Sequence, residues 1–104
     1  MPFAIMFFDA DPGVKERKKA LRPRHLEYII QNSHRIIASG GLYPENEDFP
    51  YGGLVILDTD DRQDAVAFVE NDPFFLEGIF SSYVLHRWRK AIFDHTRISI
   101  PDYA

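Results

Sequence analysis

The chain contains no cysteine. This absence excludes disulfide bonds, thiolate catalysis and cysteine-based metal sites, and it agrees with a reducing compartment. Long apolar runs are also absent. The apolar start of the chain is interrupted at Asp9 and Asp11, well short of the about 20 residues that span a bilayer. We expect a soluble, cytoplasmic protein without membrane contact.

An excess of positive charge is absent too. The net charge is -4, and acidic and basic residues are interspersed. The basic stretches at 15–24 and 87–90 lack the interleaved aromatic residues of a groove for single-stranded nucleic acid, so we expect no nucleic-acid partner. The four histidines show no metal-ligand spacing, and neither glycine pair begins a phosphate-binding pattern. The sequence therefore predicts no metal site.

Material for a hydrophobic core is plentiful. Hydrophobic residues make up 45% of the 104 residues, and they include nine Phe, five Tyr and one Trp. A disordered chain would lack these aromatic residues, and the length suits one compact domain. We predict a single domain over residues 1–104.

The apolar patterns predict the order strand, helix, strand, strand, helix, strand. Strands are expected over residues 3–8, 36–39, 54–57 and 83–88, and a further edge strand or arm over 96–100. Residues 36–39 could instead end the first helix, which stops at the Gly40-Gly41 pair. This order is typical of an α+β, ferredoxin-like βαββαβ fold, with one antiparallel sheet and two helices on one of its faces.

Prolines mark the expected ends of the helices. A short helix over 14–21 is predicted to precede a longer one that begins at Pro23, because proline suits the first turn of a helix. The second helix is predicted to begin with a capping box of Asp60 and Gln63 and to end near Asp72, because Pro73 disfavours helical geometry at the residue before it.

Both faces of the first strand are apolar. Phe3 and Ile5 point to one face, and Ala4 and Met6 point to the other. The helices cover one face only, and monomers rarely leave apolar patches beyond a few hundred Å² exposed. We therefore expect a homodimer that pairs sheet against sheet, as in a dimeric α/β barrel.

His25 is a candidate general base. It lies beside Pro23, in the first turn of the longer predicted helix and at the edge of an apolar stripe that contains Leu26, Ile29 and Ile30. The helix N-terminus disfavours protonated imidazole, and a neutral, partly shielded imidazole suits a general base. The alternative is a boundary histidine that packs on Ile29 and bonds to a loop.

Asp72 is a candidate partner for such a base. Ala65, Phe68, Val69 and Asp72 follow helical spacing, so the carboxylate occupies a position on the inward side of the second helix. A buried carboxylate needs a partner or a raised pKa. The alternative is an Asx-type turn, in which nearby backbone N–H groups satisfy the carboxylate at the Asp-Pro break.

The chain resembles the YCII-related proteins, a family of small ferredoxin-like domains that pair through their sheets. The resemblance covers nearly the whole domain and rests on Arg22-Pro23-x-His25-Leu26, Ser39-Gly40, Asp72-Pro73-Phe74 with Gly78, and Trp88-Arg89-Lys90, in that order. Two features depart from the family. Gly41 stands where relatives often have proline, and the loop from 43 to 53 is individual, so the identity of a substrate does not carry over.

The resemblance implies a site centred on His25 and Asp72 that uses neither a metal nor an organic cofactor. At least one relative acts in the breakdown of a chlorinated aromatic compound. We therefore expect a lyase, isomerase or dehalogenase that acts on a small molecule. His25 is expected to move a proton, and Asp72 is expected to orient the His25 imidazole. Arg22 is expected to hold an anionic substrate group. Gly40, Phe74 and Trp88 are further expected substrate contacts. The alternative is a non-catalytic ligand-binding or regulatory dimer on the same fold.

The expected topology raises a geometric difficulty for the pair. In a plain ferredoxin-like domain, the start of the first helix and the end of the second lie at opposite ends of the subunit. His25 and Asp72 meet only if residues 14–21 displace the helix start or if a second subunit contributes one of them. Otherwise Asp9, which closes the first strand near the first helix, is the better carboxylate for His25, or a substrate contact.

Overall fold

The computed structural model describes residues 1–99, with Pro12 described by its backbone alone. The strands are β1 (Phe3–Asp9), β2 (Ile36–Leu42), β3 (Gly52–Leu57), β4 (Phe80–Arg87), β5 (Ile92–Phe93) and β6 (Thr96–Arg97). The α-helices are α1 (Lys15–Gln31), α2 (Arg62–Glu70) and α3 (Pro73–Leu76), and short 3-10 turns cover Pro12–Val14 and Ser33–Arg35. Within residues 1–99, no helix combines the length and apolar composition that crossing a bilayer requires.

The first four strands form one antiparallel sheet in the order β2-β3-β1-β4. Alternate residues of these strands face the helices and form the core, with Ile5 and Leu57 fully buried. From α2 and α3, Phe68, Val69 and Phe74 pack against them. The predicted α+β, ferredoxin-like fold with helices on one face is therefore confirmed.

The predicted start of the first long helix at Pro23 is wrong. One helix of 17 residues runs from Lys15 to Gln31, and Pro23 lies inside it. Residues 15–22 are almost all strong helix formers, and Asp11 caps the preceding 3-10 turn by accepting from the Gly13 N–H at 2.6 Å. Pro23 removes one backbone hydrogen bond, to the carbonyl of Lys19. Both residues are exposed, so water can bind that carbonyl.

The buried side of α1 agrees with the predicted stripe at Ile29, which packs against the core, but not at Ile30. Ile30 is 68% exposed, whereas Lys18 is buried and Leu21 and Tyr28 pack at the core. His25 lies on this same side, because 18, 21, 25 and 28 follow helical spacing. Since the helix begins eight residues earlier than predicted, its contact with the core is set by residues before Pro23 as well as after it.

Other boundaries shift by a few residues. The helix stops at Gln31 and a strand begins at Ile36, so the strand alternative for residues 36–39 is confirmed. Asp61, not Asp60, caps α2 by accepting from the Gln63 N–H at 2.9 Å, and Asp60 pairs with the N-terminal amine.

The expected edge strand near the C-terminus pairs with β5 instead of joining the main sheet. Asp94 and His95 connect β5 and β6 with positive φ angles of 49° and 71°, the signature of a tight two-residue hairpin turn. Ile100, the predicted end of that strand, lies outside the described residues.

The outer face of the sheet is apolar and open in the single chain. Strand register places Gly40, Leu54, Met6 and Val84 in one row on this face. Met6 is 37% exposed and Val84 is 41% exposed. The first strand is therefore buried on one face only within a single chain.

Candidate active site

Asp72 lies at the break between α2 and α3. Pro73 occupies the first turn of α3, and Asp72 caps that helix, with its Oδ1 accepting from the Phe74 N–H at 2.9 Å. The side chain also faces the interior, where the residue is only 3% exposed. The two interpretations of Asp72 are thus compatible, since one carboxylate makes the turn and points inward.

His25 contacts Asp72 within one subunit. The Nδ1 atom of His25 lies 2.9 Å from Asp72 Oδ1, and the imidazole stacks on the Phe74 ring at 4.0 Å between centroids with an interplanar angle of 5°. A carboxylate can only accept, so Nδ1 carries the proton of the neutral imidazole and Nε2 is left as the basic nitrogen. The His25 side chain is 16% exposed.

The early start of α1 removes the geometric difficulty. His25 lies ten residues beyond the first residue of the helix, or about 15 Å along its axis. This displacement brings it level with the start of α3, so no second subunit is needed for the contact. His25 is therefore not in the first turn, and the expected effect of the helix N-terminus on it does not apply.

A cavity of about 260 Å³ lies between α1 and the sheet, and His25 lines it. On the sheet side, β2 and β3 present Ser39, Gly41 and Gly53, whose small or missing side chains leave room above the strands. The rings of Phe7, Phe49, Phe74 and Phe80 supply aromatic walls. The cavity thus brings His25, the outer member of the His25–Asp72 dyad, together with aromatic walls and with the cationic side chains of Lys18, Lys19 and Arg22.

The Phe7 ring leaves no room for a side chain at Gly53. A Cβ at this position would lie 2.4 Å from Phe7 Cε2, because Phe7 folds over its cross-strand partner and stacks on Phe80 at 4.2 Å. Gly40 also lines the cavity, but a Cβ there would meet no atom within 4 Å. Gly40 therefore contributes backbone to the cavity wall.

Arg22 and Trp88 lie in different places. Arg22 is exposed on α1 and lines the cavity, and among residues 1–99 no carboxylate forms an ion pair with it. Trp88 donates its backbone N–H to the Pro2 carbonyl, at the end of the sheet where β1 begins. The distance along β1 from there to Phe7 is roughly 17 Å. Within one chain, Trp88 is therefore away from this cavity.

Residues 1–89 match the YCII-related domain, which is most of the chain. The chain belongs to the YCII-related family. The resemblance noted in the sequence is thereby confirmed. No curated protein matches the chain.

Among solved structures, this YCII-related domain is similar to 5-chloro-2-hydroxyhydroquinone dehydrochlorinase from Burkholderia phenoliruptrix AC1100, in its complex with 2,5-dihydroxybenzoquinone. The TM-score is 0.73 and the sequence identity is 23%, over 84% of this chain and 93% of that chain. At 23% identity, this structural similarity confirms the fold of the chain.

Lys18 is the residue of this YCII-related domain that the sequence interpretation missed. It is 6% exposed, lies against the cavity, and pairs with Asp9 at 2.9 Å while donating to the Pro50 carbonyl at 2.9 Å. Asp9, the alternative partner for His25, is engaged by Lys18 instead. The signal was present, because Lys18 precedes Leu21 and His25 at helical spacing once the helix is taken as continuous through Pro23.

The pKa of Tyr28 responds to burial and to the negative charge of Asp72. Burial raises the pKa of Tyr28 above its ordinary value of 10.0, and the negative charge of Asp72 raises it further. The Tyr28 hydroxyl donates to the Phe68 carbonyl at 2.6 Å. Tyr28 therefore stays neutral beside the dyad and ties α1 to α2.

Within residues 1–99, no three His, Asp or Glu side chains come together as a metal site.

Proposed function

We propose that the chain is a small-molecule enzyme in which His25 transfers a proton and Asp72 orients His25. One observation carries the proposal: the imidazole that lines the cavity holds its Nδ1 against a buried carboxylate at 2.9 Å. This arrangement leaves Nε2 as the basic atom, which is the requirement for a general base. The chemistry needs no metal or organic cofactor, because the base and a leaving group are sufficient.

The proposed roles follow from the contacts. Nε2 of His25 accepts a proton from the substrate, and the Asp72 carboxylate stabilises the imidazolium that forms. Asp72 is itself fixed by the Phe74 N–H, so the orientation of the dyad depends on the first turn of α3. The Phe74 ring beneath the imidazole limits its rotation. His25 is the catalytic residue of this proposal, and Asp72 is its positioning residue.

The proposed reaction is the elimination of a hydrogen halide from a hydroxylated ring, with other lyase or isomerase reactions of the same proton-transfer type as the wider class. In the keto tautomer of the ring, the carbon that carries the halogen is tetrahedral and holds a hydrogen. His25 Nε2 takes a hydroxyl proton, the O–H electron pair forms a new carbonyl, and the displaced ring π pair expels the halide, so that HX is lost and no oxidant or reductant is consumed. The aromatic cavity walls suit a planar ring, and Arg22, which also lines the cavity, would hold an anionic oxygen. The activity named for the dehydrochlorinase of similar fold supports this class.

We also propose a homodimer that forms through the outer face of the sheet. The row that contains Met6, Leu54 and Val84 gives this face an apolar surface that monomers rarely leave uncovered. Val84→Glu should convert the dimer into a monomer in sedimentation experiments, whereas Tyr51→Glu, on an exposed loop residue, should not. A wild-type chain that sediments as a monomer would contradict the dimer.

The function is tested by comparing His25→Ala with His34→Ala, an exposed histidine in the 3-10 turn that follows α1. Halide release from chlorinated hydroxyhydroquinones is measured, and the fold is checked by circular dichroism. We expect His25→Ala to lower kcat by about 10²–10⁴-fold and His34→Ala to leave it unchanged. Equal turnover in both variants would overturn the mechanism. Tight ligand binding without any turnover by the wild-type chain would support the non-catalytic alternative.

A further inference from the structure

A second cavity lies next to the one that contains the dyad. It has a volume of about 330 Å³ and is lined in part by Phe8, Val14 and Tyr51. Phe49 and Pro50 line both cavities, so these two residues of the loop between β2 and β3 form the partition between them. The partition therefore sets how far a ligand beside His25 can extend.

The size of the first cavity limits its ligand. A cavity of roughly 150 Å³ holds benzene, whereas pockets for drug-sized ligands begin at roughly 300 Å³. The cavity beside His25, at about 260 Å³, lies between these values and suits one ring with small polar substituents. A second fused ring that extends toward the loop between β2 and β3 would have to enter the space beyond Phe49.

Contacts with α1 hold the partition in place. The Lys18 ammonium donates to the Pro50 carbonyl, and Lys15 pairs with Glu47 of the same loop at 3.2 Å. The Phe49 ring lies 4.7 Å from the Lys15 ammonium and 5.6 Å from that of Lys18, distances at which a cation and a ring attract. The loop is thus attached to the helix that carries His25.

We propose that Phe49 determines ligand size, by closing the site beside His25 to molecules larger than a single ring. The inference rests on the proposed function, because it takes the cavity beside His25 as the ligand site. Removal of the Phe49 ring would join the two cavities. The second cavity would then receive a second ring between Val14, Pro44 and Tyr51, with its charged residues Asp9 and Glu47 paired to Lys18 and Lys15.

Two hydroxyquinones that differ by one fused ring test the proposal: 2,5-dihydroxybenzoquinone, the molecule bound by the structural neighbour, and a hydroxynaphthoquinone. Their dissociation constants are measured by calorimetry for the wild-type chain, Phe49→Ala, Phe49→Leu and Phe93→Ala. Phe93 is the matched control, since it is a half-buried phenylalanine with the Lys90 ammonium 5.2 Å from its ring, and it lines neither cavity.

We expect the wild-type chain to prefer the single ring and Phe49→Ala to shift the preference toward two rings by about tenfold or more. Phe49→Leu should give a smaller shift, and Phe93→Ala none. An unchanged preference in folded Phe49→Ala and Phe49→Leu overturns this inference while leaving the proposed function intact. Equal affinities of the wild-type chain for the two quinones would also overturn the inference on Phe49. If no variant binds either quinone, the proposed function and the inference both fail for this ligand class.

Discussion

His25 Nδ1 lies 2.9 Å from Asp72 Oδ1, although 47 residues of chain separate the two. Two local features create this contact. The continuous helix α1 carries His25 far from the helix start, and the break at Pro73 places Asp72 at the first turn of α3 with its side chain facing inward. Both members of the pair therefore come from one subunit, and their contact does not need a second copy of the chain.

Asp72→Asn should lower turnover while largely preserving the fold. Asparagine can still cap α3, but it cannot supply the negative charge that stabilises imidazolium. We expect kcat to fall by about 10²–10⁴-fold with a small change in KM. Asp64→Asn is the control, because Asp64 pairs with Arg35 away from the cavity. Wild-type kcat in Asp72→Asn would show that the carboxylate has no part in the reaction.

Lys18→Met should destabilise the domain. It removes the ion pair with Asp9 and the hydrogen bond to Pro50, and it leaves a largely buried carboxylate without its cation. We expect the free energy of unfolding to fall by about 3–5 kcal/mol in denaturant titrations.

Two further variants identify the cause of that loss. Lys19→Met, next in sequence but exposed and paired with Glu16 at 3.4 Å, should change stability by less than about 1 kcal/mol. Adding Asp9→Asn to Lys18→Met should restore part of the stability, because the unpaired charge is removed. Equal effects of Lys18→Met and Lys19→Met would mean that the buried pair is not important for stability.

Tyr28 should make stability depend on alkaline pH. Its folded-state pKa is raised, first by burial and then by the charge of Asp72, above the ordinary value of 10.0. The associated stability is fully present below about pH 10 and is lost as the pH rises through the folded pKa. Tyr28→Phe should remove this part of the pH dependence, as measured by thermal unfolding between neutral and alkaline pH.

The same tyrosine tests the charge on Asp72. In a titration followed by carbon NMR of the tyrosine rings, Asp72→Asn should lower the pKa of Tyr28. Glu70→Gln should instead lower the pKa of Tyr83, which is raised chiefly by the hydrogen bond to Glu70. A Tyr28 titration that is the same with and without Asp72→Asn would contradict the coupling of these two groups.

Local patterns were enough to predict the four strands of the main sheet and the fold. The runs around Phe3 and Leu54 identify strands because each lies between polar turns, and the order of elements then leaves few topologies. Pro23 misled the prediction of α1, because a proline at a helix start and one tolerated inside a helix look alike in sequence. The error also concealed Lys18, which falls on the buried side only if the helix is continuous.

The pairing of the dyad could not be derived from spacing. Helical periodicity placed Asp72 on the inward side of its helix, but which side chain it meets depends on where α1 starts and on how it packs. Asp9, the alternative partner for His25, is held by Lys18, a residue that the predicted helix boundary left outside the long helix. Whether Trp88 contacts the cavity could not be predicted either, because that depends on which end of the sheet carries the cavity.

The central claim is that His25 presents a basic Nε2 to a ligand while Asp72 holds Nδ1–H. Nitrogen NMR of the histidine rings, recorded with and without 2,5-dihydroxybenzoquinone, tests it most directly. We predict that neutral His25 is protonated at Nδ1 and that its Nε2 resonance shifts when the quinone binds, while the resonances of exposed His34 do not move. Protonation at Nε2, or a His25 ring unaffected by a bound quinone, would contradict the account.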